Sequence, residues 1–134
     1  MKSIELYTPD GLRTLKFRFN EPVVEYNEKA KWCVVRASGR TVTVCGNPCI
    51  VYDEDLPSFG MPIDFSELWK NEMNDAYKDG KKALTCFLPN GTPILTFFGD
   101  KISLVNKVDD YCQFMIDDKM VCLYKMSFLI LSKN

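Results

Sequence analysis

Histidine does not occur once in the 134 residues of this chain. Its absence removes the commonest general base and the commonest metal ligand. Ser-His-Asp and Cys-His catalysis go with it. Excess charge is lacking too: 17 Lys and Arg stand against 18 Asp and Glu, for a net charge of −1. Bulk electrostatics therefore favours neither nucleic acid nor an anionic membrane, and neither is expected as a partner. No apolar run approaches the roughly 20 residues that span a bilayer. The phosphate-cradling glycine pattern, the nucleophile elbow and the zinc-protease helix are all missing. So are internal repeats, linkers and low-complexity segments. At the N-terminus, Glu5 falls where a signal peptide would continue its apolar core, so an intracellular, cytoplasmic protein is expected.

What the chain does have is material for a core. It is 46% hydrophobic and 13% aromatic, which at this length supports one packed domain over 1–134. The six cysteines are Cys33, Cys45, Cys49, Cys86, Cys112 and Cys122. An even count suits a disulfide framework, but the expected compartment keeps thiols reduced. Most of the six lie in apolar, strand-like runs, where cysteine behaves as a small hydrophobe.

One stretch reads as a helix. Asp64 is placed to cap its start, and Glu67 to reach back three residues in a capping box. Phe65, Leu68, Trp69, Met73, Ala76 and Tyr77 recur at helical spacing, and Gly80 supplies a left-handed stop. The rest reads as strands and turns. Lys2 to Tyr7 and Leu12 to Phe19 flank Thr8-Pro9-Asp10-Gly11 as an opening hairpin. Val23 to Tyr26, Trp32 to Ala37, Thr41 to Cys45 and Cys49 to Tyr52 follow as a meander. Asp53 to Pro62 reads as a loop leading into the helix. Asn90-Gly91 between Ala83 to Leu88 and Pro93 to Phe98 is a strong hairpin signal. Ile102 to Val105, Tyr111 to Ile116 and one long strand from Met120 to Leu131 complete the chain. The expected fold is α+β: a mainly antiparallel, strongly twisted or barrel-like sheet of about ten short strands, packed against one amphipathic helix at about 65–78.

Four groups of residues are candidates for function. Eight of the 17 basic residues, including all four arginines, fall in residues 1–40. Arginine suits bidentate recognition of phosphate or carboxylate. Lys16, Arg18, Arg36 and Arg40 are the expected ligand-binding set, with Tyr26 or Trp32 as a stacking surface; the same residues equally suit an ordinary solvated strand face. Cys45 and Cys49 flank a tight turn with ligand-like spacing, but a tetrahedral zinc site needs two further ligands and none is close in sequence, so no metal is expected. Asp53-Glu54-Asp55, Asp109-Asp110 and Asp117-Asp118 are paired carboxylates, also favoured in turns for their own backbone bonding. The Asp53–Pro62 loop, with Phe59 and Met61, suits a lid or a partner contact.

These features point to a small, non-catalytic binding or inhibitory protein without cofactors. It would act by occupying a partner protein or by capturing a small anionic, nucleotide-like ligand. Its small, lysine- and asparagine-rich character resembles that of phage and mobile-element proteins. One alternative is an assembly protein that forms a homo-oligomer through its apolar C-terminal strand, at Leu129 and Leu131. The other is an enzyme without histidine, working through carboxylate, Lys or Cys chemistry.

Overall fold

The structure, a computed structural model, describes residues 1–60 and 80–132. Within them the chain forms thirteen strands and no helix. In order these are β1 (Lys2–Tyr7), β2 (Arg13–Phe19), β3 (Val23–Asn27), β4 (Trp32–Ala37), β5 (Arg40–Val44), β6 (Cys49–Asp53), β7 (Ser58–Gly60), β8 (Lys82–Phe87), β9 (Pro93–Gly99), β10 (Ile102–Val108), β11 (Tyr111–Ile116), β12 (Lys119–Tyr124) and β13 (Ser127–Leu131).

Local turn chemistry makes the hairpins. Gly11 takes φ +109° and Gly91 takes φ +89°, backbone conformations that glycine adopts without steric cost. β1 and β2 pair antiparallel across the first turn, and β8 and β9 across the second. β3, β4 and β5 pair in sequence as a meander.

The strands assemble into three antiparallel sheets. The central one has the order β10-β11-β12-β6-β1-β2. A four-stranded sheet has the order β13-β8-β9-β7, and a three-stranded one β3-β4-β5. Each covers a different face of the central sheet. On one side Ile4, Leu6, Cys49, Val51, Cys122 and Tyr124 pack with Cys33, Val35 and Val44 of the three-stranded sheet. On the other Ile50, Tyr52, Phe114, Val121 and Leu123 pack with Leu84, Cys86, Leu95 and Phe97 of the four-stranded sheet. Burying each such side chain contributes about 1.5–3 kcal/mol. This double covering explains why Cys49-Ile50-Val51-Tyr52 and Val121-Cys122-Leu123-Tyr124 show no polar alternation: both faces of β6 and β12 are interior.

Several expectations are corrected. The described residues are all-β, so the α+β fold with a packed amphipathic helix is replaced by three stacked sheets. The segment expected to be helical, 65–78, lies outside the described residues. A barrel-like sheet has one interior, whereas alternate residues of β1, β6 and β12 enter two separate cores. The expected single strand from Met120 to Leu131 breaks at Lys125, where φ is +56°. β12 stays in the central sheet while β13 crosses to pair with β8. The Asp53–Pro62 loop contains β7, which pairs with β9. Among the described residues, no helix is long and apolar enough to cross a membrane.

Candidate functional site

The fold divides the expected ligand-binding set over three surfaces. The first is the outer face of the three-stranded sheet. Alternation along β4 turns Cys33 and Val35 into the core and leaves Trp32, Val34 and Arg36 outside. Glu25 and Asn27 from β3 and Thr41 and Thr43 from β5 join them around a shallow depression of about 290 Å³. Val34 is its buried floor, and Trp32 keeps 38% of its surface exposed. Arg36 Nη1 is ion-paired to Glu25 Oε2, and both side chains are more than half exposed. A pair in that setting is worth about 0–1 kcal/mol, so an incoming group displaces it at little cost.

Tyr26 borders the same depression, but its ring serves the interior. It stacks on Tyr111 with centroids 5.5 Å apart and planes 9° from parallel. Its hydroxyl donates to Asp109 Oδ2 at 3.0 Å. Burial first, then that carboxylate, pushes the Tyr26 hydroxyl up to about 12. Lys31 Nζ donates to the same Oδ2 at 2.7 Å, and the Tyr124 hydroxyl donates to the Lys31 carbonyl at 2.7 Å. Tyr26 thus fastens the three-stranded sheet to the turn between β10 and β11.

Arg40 stands on a second surface, at the rim between sheets. Its guanidinium lies 6.0 Å and 5.8 Å from the ring centroids of Phe17 and Phe19, within cation–π range.

Lys16 and Arg18 lie on a third surface, the opposite face of β2. A bulge at Leu6/Tyr7 sets Arg13 opposite Tyr7, which brings it onto this face beside them. Beneath the three cations, β1 and β6 contribute Ser3, Glu5 and Tyr52, and Glu54 follows directly after β6. Arg18 gives Nε and Nη2 to the two oxygens of Glu54, both at 2.7 Å. Ser3 Oγ donates to Glu54 Oε1 as well. The Arg18 guanidinium, then Ser3, hold the Glu54 carboxyl down to about 2. Arg13 Nη1 donates to Glu5 Oε1 at 2.9 Å. Glu5 itself is only 3% exposed, and its Oε2 has no hydrogen-bond partner. The Tyr52 hydroxyl lies alongside Glu5 and Ser3; burial, then the charge of Glu5 and a hydrogen bond to it, push that hydroxyl up to about 12.

Arg18, Arg36 and Arg40 therefore do not converge. Trp32 and Arg36 share one face, Lys16 and Arg18 another, and Arg40 stands apart from both. Sequence reasoning missed Glu5 and Arg13. Glu5 alternates with Ile4 and Leu6 as a solvent-facing residue would, and the bulge that brings Arg13 round leaves no trace in composition.

The cysteines and the acidic pairs are placed as follows, while Met61, of the candidate lid, lies outside the described residues. Cys45 is exposed while Cys49 is buried. Burial pushes the Cys33 thiol up to about 12 and those of Cys49 and Cys86 well above their ordinary value. Asp109 and Asp117 occupy hairpin turns with φ of +51° and +55°. Asp117 Oδ1 accepts from the backbone N–H groups of Asp100 and Lys101 at 3.1 and 3.0 Å, and Asp110 pairs with Lys125 at 3.1 Å. Among the described residues no three His, Cys, Asp or Glu side chains gather as a metal site. Compared with known proteins, the chain matches no family model, no curated protein and no solved structure.

Proposed function

We propose that this chain is a non-catalytic binding protein that occupies a partner protein through the outer face of its three-stranded sheet. The observation that carries the reading is Trp32, half out of a depression that it shares with Arg36. Tryptophan and arginine are the side chains that most often dominate binding energy at interfaces. Glu25, Asn27, Thr41 and Thr43 around them supply a polar rim of donors and acceptors. The burial of five of the six thiols and the absence of histidine support a binding rather than a catalytic role. The reading places the protein in the cytoplasm, where buried thiols stay reduced.

The test is comparative capture from extract with wild type, Trp32→Ala, Arg36→Ala and a remote control, Leu104→Ser. A partner retained by wild type and control but lost by both site variants is expected, and the purified pair must reproduce that pattern. The same captured set for all four proteins defeats the reading.

A second reading, self-assembly, is favoured by β13. It forms an edge of the four-stranded sheet, with Leu129 40% and Ile130 38% exposed. Edge strands with apolar side chains recruit further strands. Native mass spectrometry of wild type and Leu129→Asp decides it: an oligomer that the substitution dissociates is required.

A further inference from the structure

A second cavity, of about 250 Å³, opens where the chain crosses from the central sheet to the four-stranded one. Its base is apolar: Cys112 of β11, Met126 between β12 and β13, and Phe128 of β13. Cys112 and Met126 are buried, and Phe128 is held by an edge-on contact with Phe114, ring centroids 4.7 Å apart. Burial raises the Cys112 thiol above its ordinary value, so it stays protonated and adds no charge to that base. The mouth carries Lys107, Asp109 and Asp110. Both carboxylates are already matched. Asp109 accepts from Lys31 at 2.7 Å and from Tyr26 at 3.0 Å, and Asp110 pairs with Lys125 at 3.1 Å. Lys107 stands opposite Cys112 in the β10–β11 register, which puts the two on one face of the sheet. Among the described residues Lys107 makes no hydrogen bond or ion pair. Lys31, Lys107 and Lys125 against Asp109 and Asp110 leave the mouth at +1, and Lys107 is the unmatched charge.

We infer that this cavity binds a small monocarboxylate whose hydrocarbon body is the size of a phenyl ring. The apolar base receives the body, and Lys107 at the mouth takes the carboxylate. A cavity of about 150 Å³ lined by aliphatic and aromatic side chains accommodates benzene, so one of 250 Å³ holds a ring with a short head group. A carboxylate is favoured over an ammonium because the two acids that would attract an ammonium already hold cations of their own, whereas Lys107 lacks an anion. An uncharged molecule of the same size forgoes the ion pair, and acetate forgoes the apolar base. None of the residues lining this cavity borders the depression at Trp32, so the ligand site is separate from the proposed partner surface.

The test is a ¹H–¹⁵N NMR titration of the full chain at neutral pH and low ionic strength with phenylacetate, phenethylamine, 2-phenylethanol and acetate. The first three share a benzyl body and differ in the head, which is an anion, a cation or a neutral hydroxyl. Phenylacetate is expected to give saturable shifts centred on Lys107, Cys112 and Phe128. It should bind about threefold more tightly than 2-phenylethanol, a margin that one exposed ion pair supplies. Phenethylamine should bind more weakly than the alcohol, and acetate should not saturate. Lys107→Met, at an exposed position that spares the fold, keeps the aliphatic stem without the charge. It should erase the preference for phenylacetate and leave 2-phenylethanol binding unchanged. Phenethylamine equalling phenylacetate overturns the inference, as does a preference that survives Lys107→Met. Shifts centred elsewhere, or saturation by none of the four compounds, overturn it too.

Discussion

The hydroxyl of Tyr26 donates to Asp109 Oδ2 at 3.0 Å, joining residues 83 positions apart in the chain. The same oxygen accepts from Lys31 Nζ, and Asp109 reaches both from a turn with φ of +51°. The contact clamps the hairpin of β3 and β4 onto the turn between β10 and β11. Tyr26→Phe keeps the ring stacked on Tyr111 but removes the donor, so a modest fall in the urea midpoint is expected. Tyr26→Ala loses the stack as well and should fall further. Equal midpoints for wild type and Tyr26→Phe would show that the hydroxyl contributes nothing.

Acid should weaken the fold in a defined window. Arg18 and Ser3 hold Glu54 down to about 2, from an ordinary 4.5, and Lys31 and Tyr26 lower Asp109. A carboxyl whose folded value is depressed stabilises the fold fully above its unfolded value. That contribution fades as pH falls from about 4.5 towards 2 for Glu54. Thermal midpoints measured from pH 7 to pH 2 should drop through this range. Arg18→Ala should show a shallower drop, because it has already lost the depressed state of Glu54. A parallel drop in both proteins would remove Glu54 from the explanation.

Gly99, at the end of β9, has no space for a side chain. A Cβ built there overlaps Ile116 Cγ2 and comes within 3.1 Å of Asp117 Oδ2. Its φ is not left-handed, so the constraint is steric. Gly99→Ala should cost about 1–3 kcal/mol in equilibrium unfolding, the usual range for overpacking. A loss below that range would mean that Ile116 yields without strain.

The thiols separate by burial. Cys45 is exposed and the other five are buried. A thiol-reactive dye should label one cysteine quickly in the native protein and all six in denaturant. Fast labelling of a second native thiol would contradict the packing of the two cores.

The sequence disclosed some of this architecture and concealed the rest for identifiable reasons. Thr8-Pro9-Asp10-Gly11 and Asn90-Gly91 carry their turn chemistry locally, so both hairpins were legible. Strand order was not, because β6 enters between β1 and β12 by contacts far apart in sequence. The break at Lys125 was hidden because apolar alternation continues through it from Met120 to Ile130. Of the candidate residues, Trp32 and Arg36 share a face by simple parity within β4. Lys16 and Arg18 share another by parity within β2. Whether those two faces met depended on sheet stacking, which periodicity does not encode. Glu5 was illegible too: Arg13, which pairs with it, reaches its face only through the bulge at Leu6/Tyr7.

The insertion of β6 has a consequence for synthesis. Once residue 53 has left the ribosome, β6, β1 and β2 can pair, and the β3–β4–β5 meander can cover one side of them. The other edge of β6 must wait for β12, more than 60 residues later. Until then the run Cys49-Ile50-Val51-Tyr52 presents an unpaired edge and an uncovered apolar flank in one place. The nascent chain is therefore most vulnerable to aggregation during that interval, and substitutions that slow elongation after β6 should reduce yield without altering the finished fold.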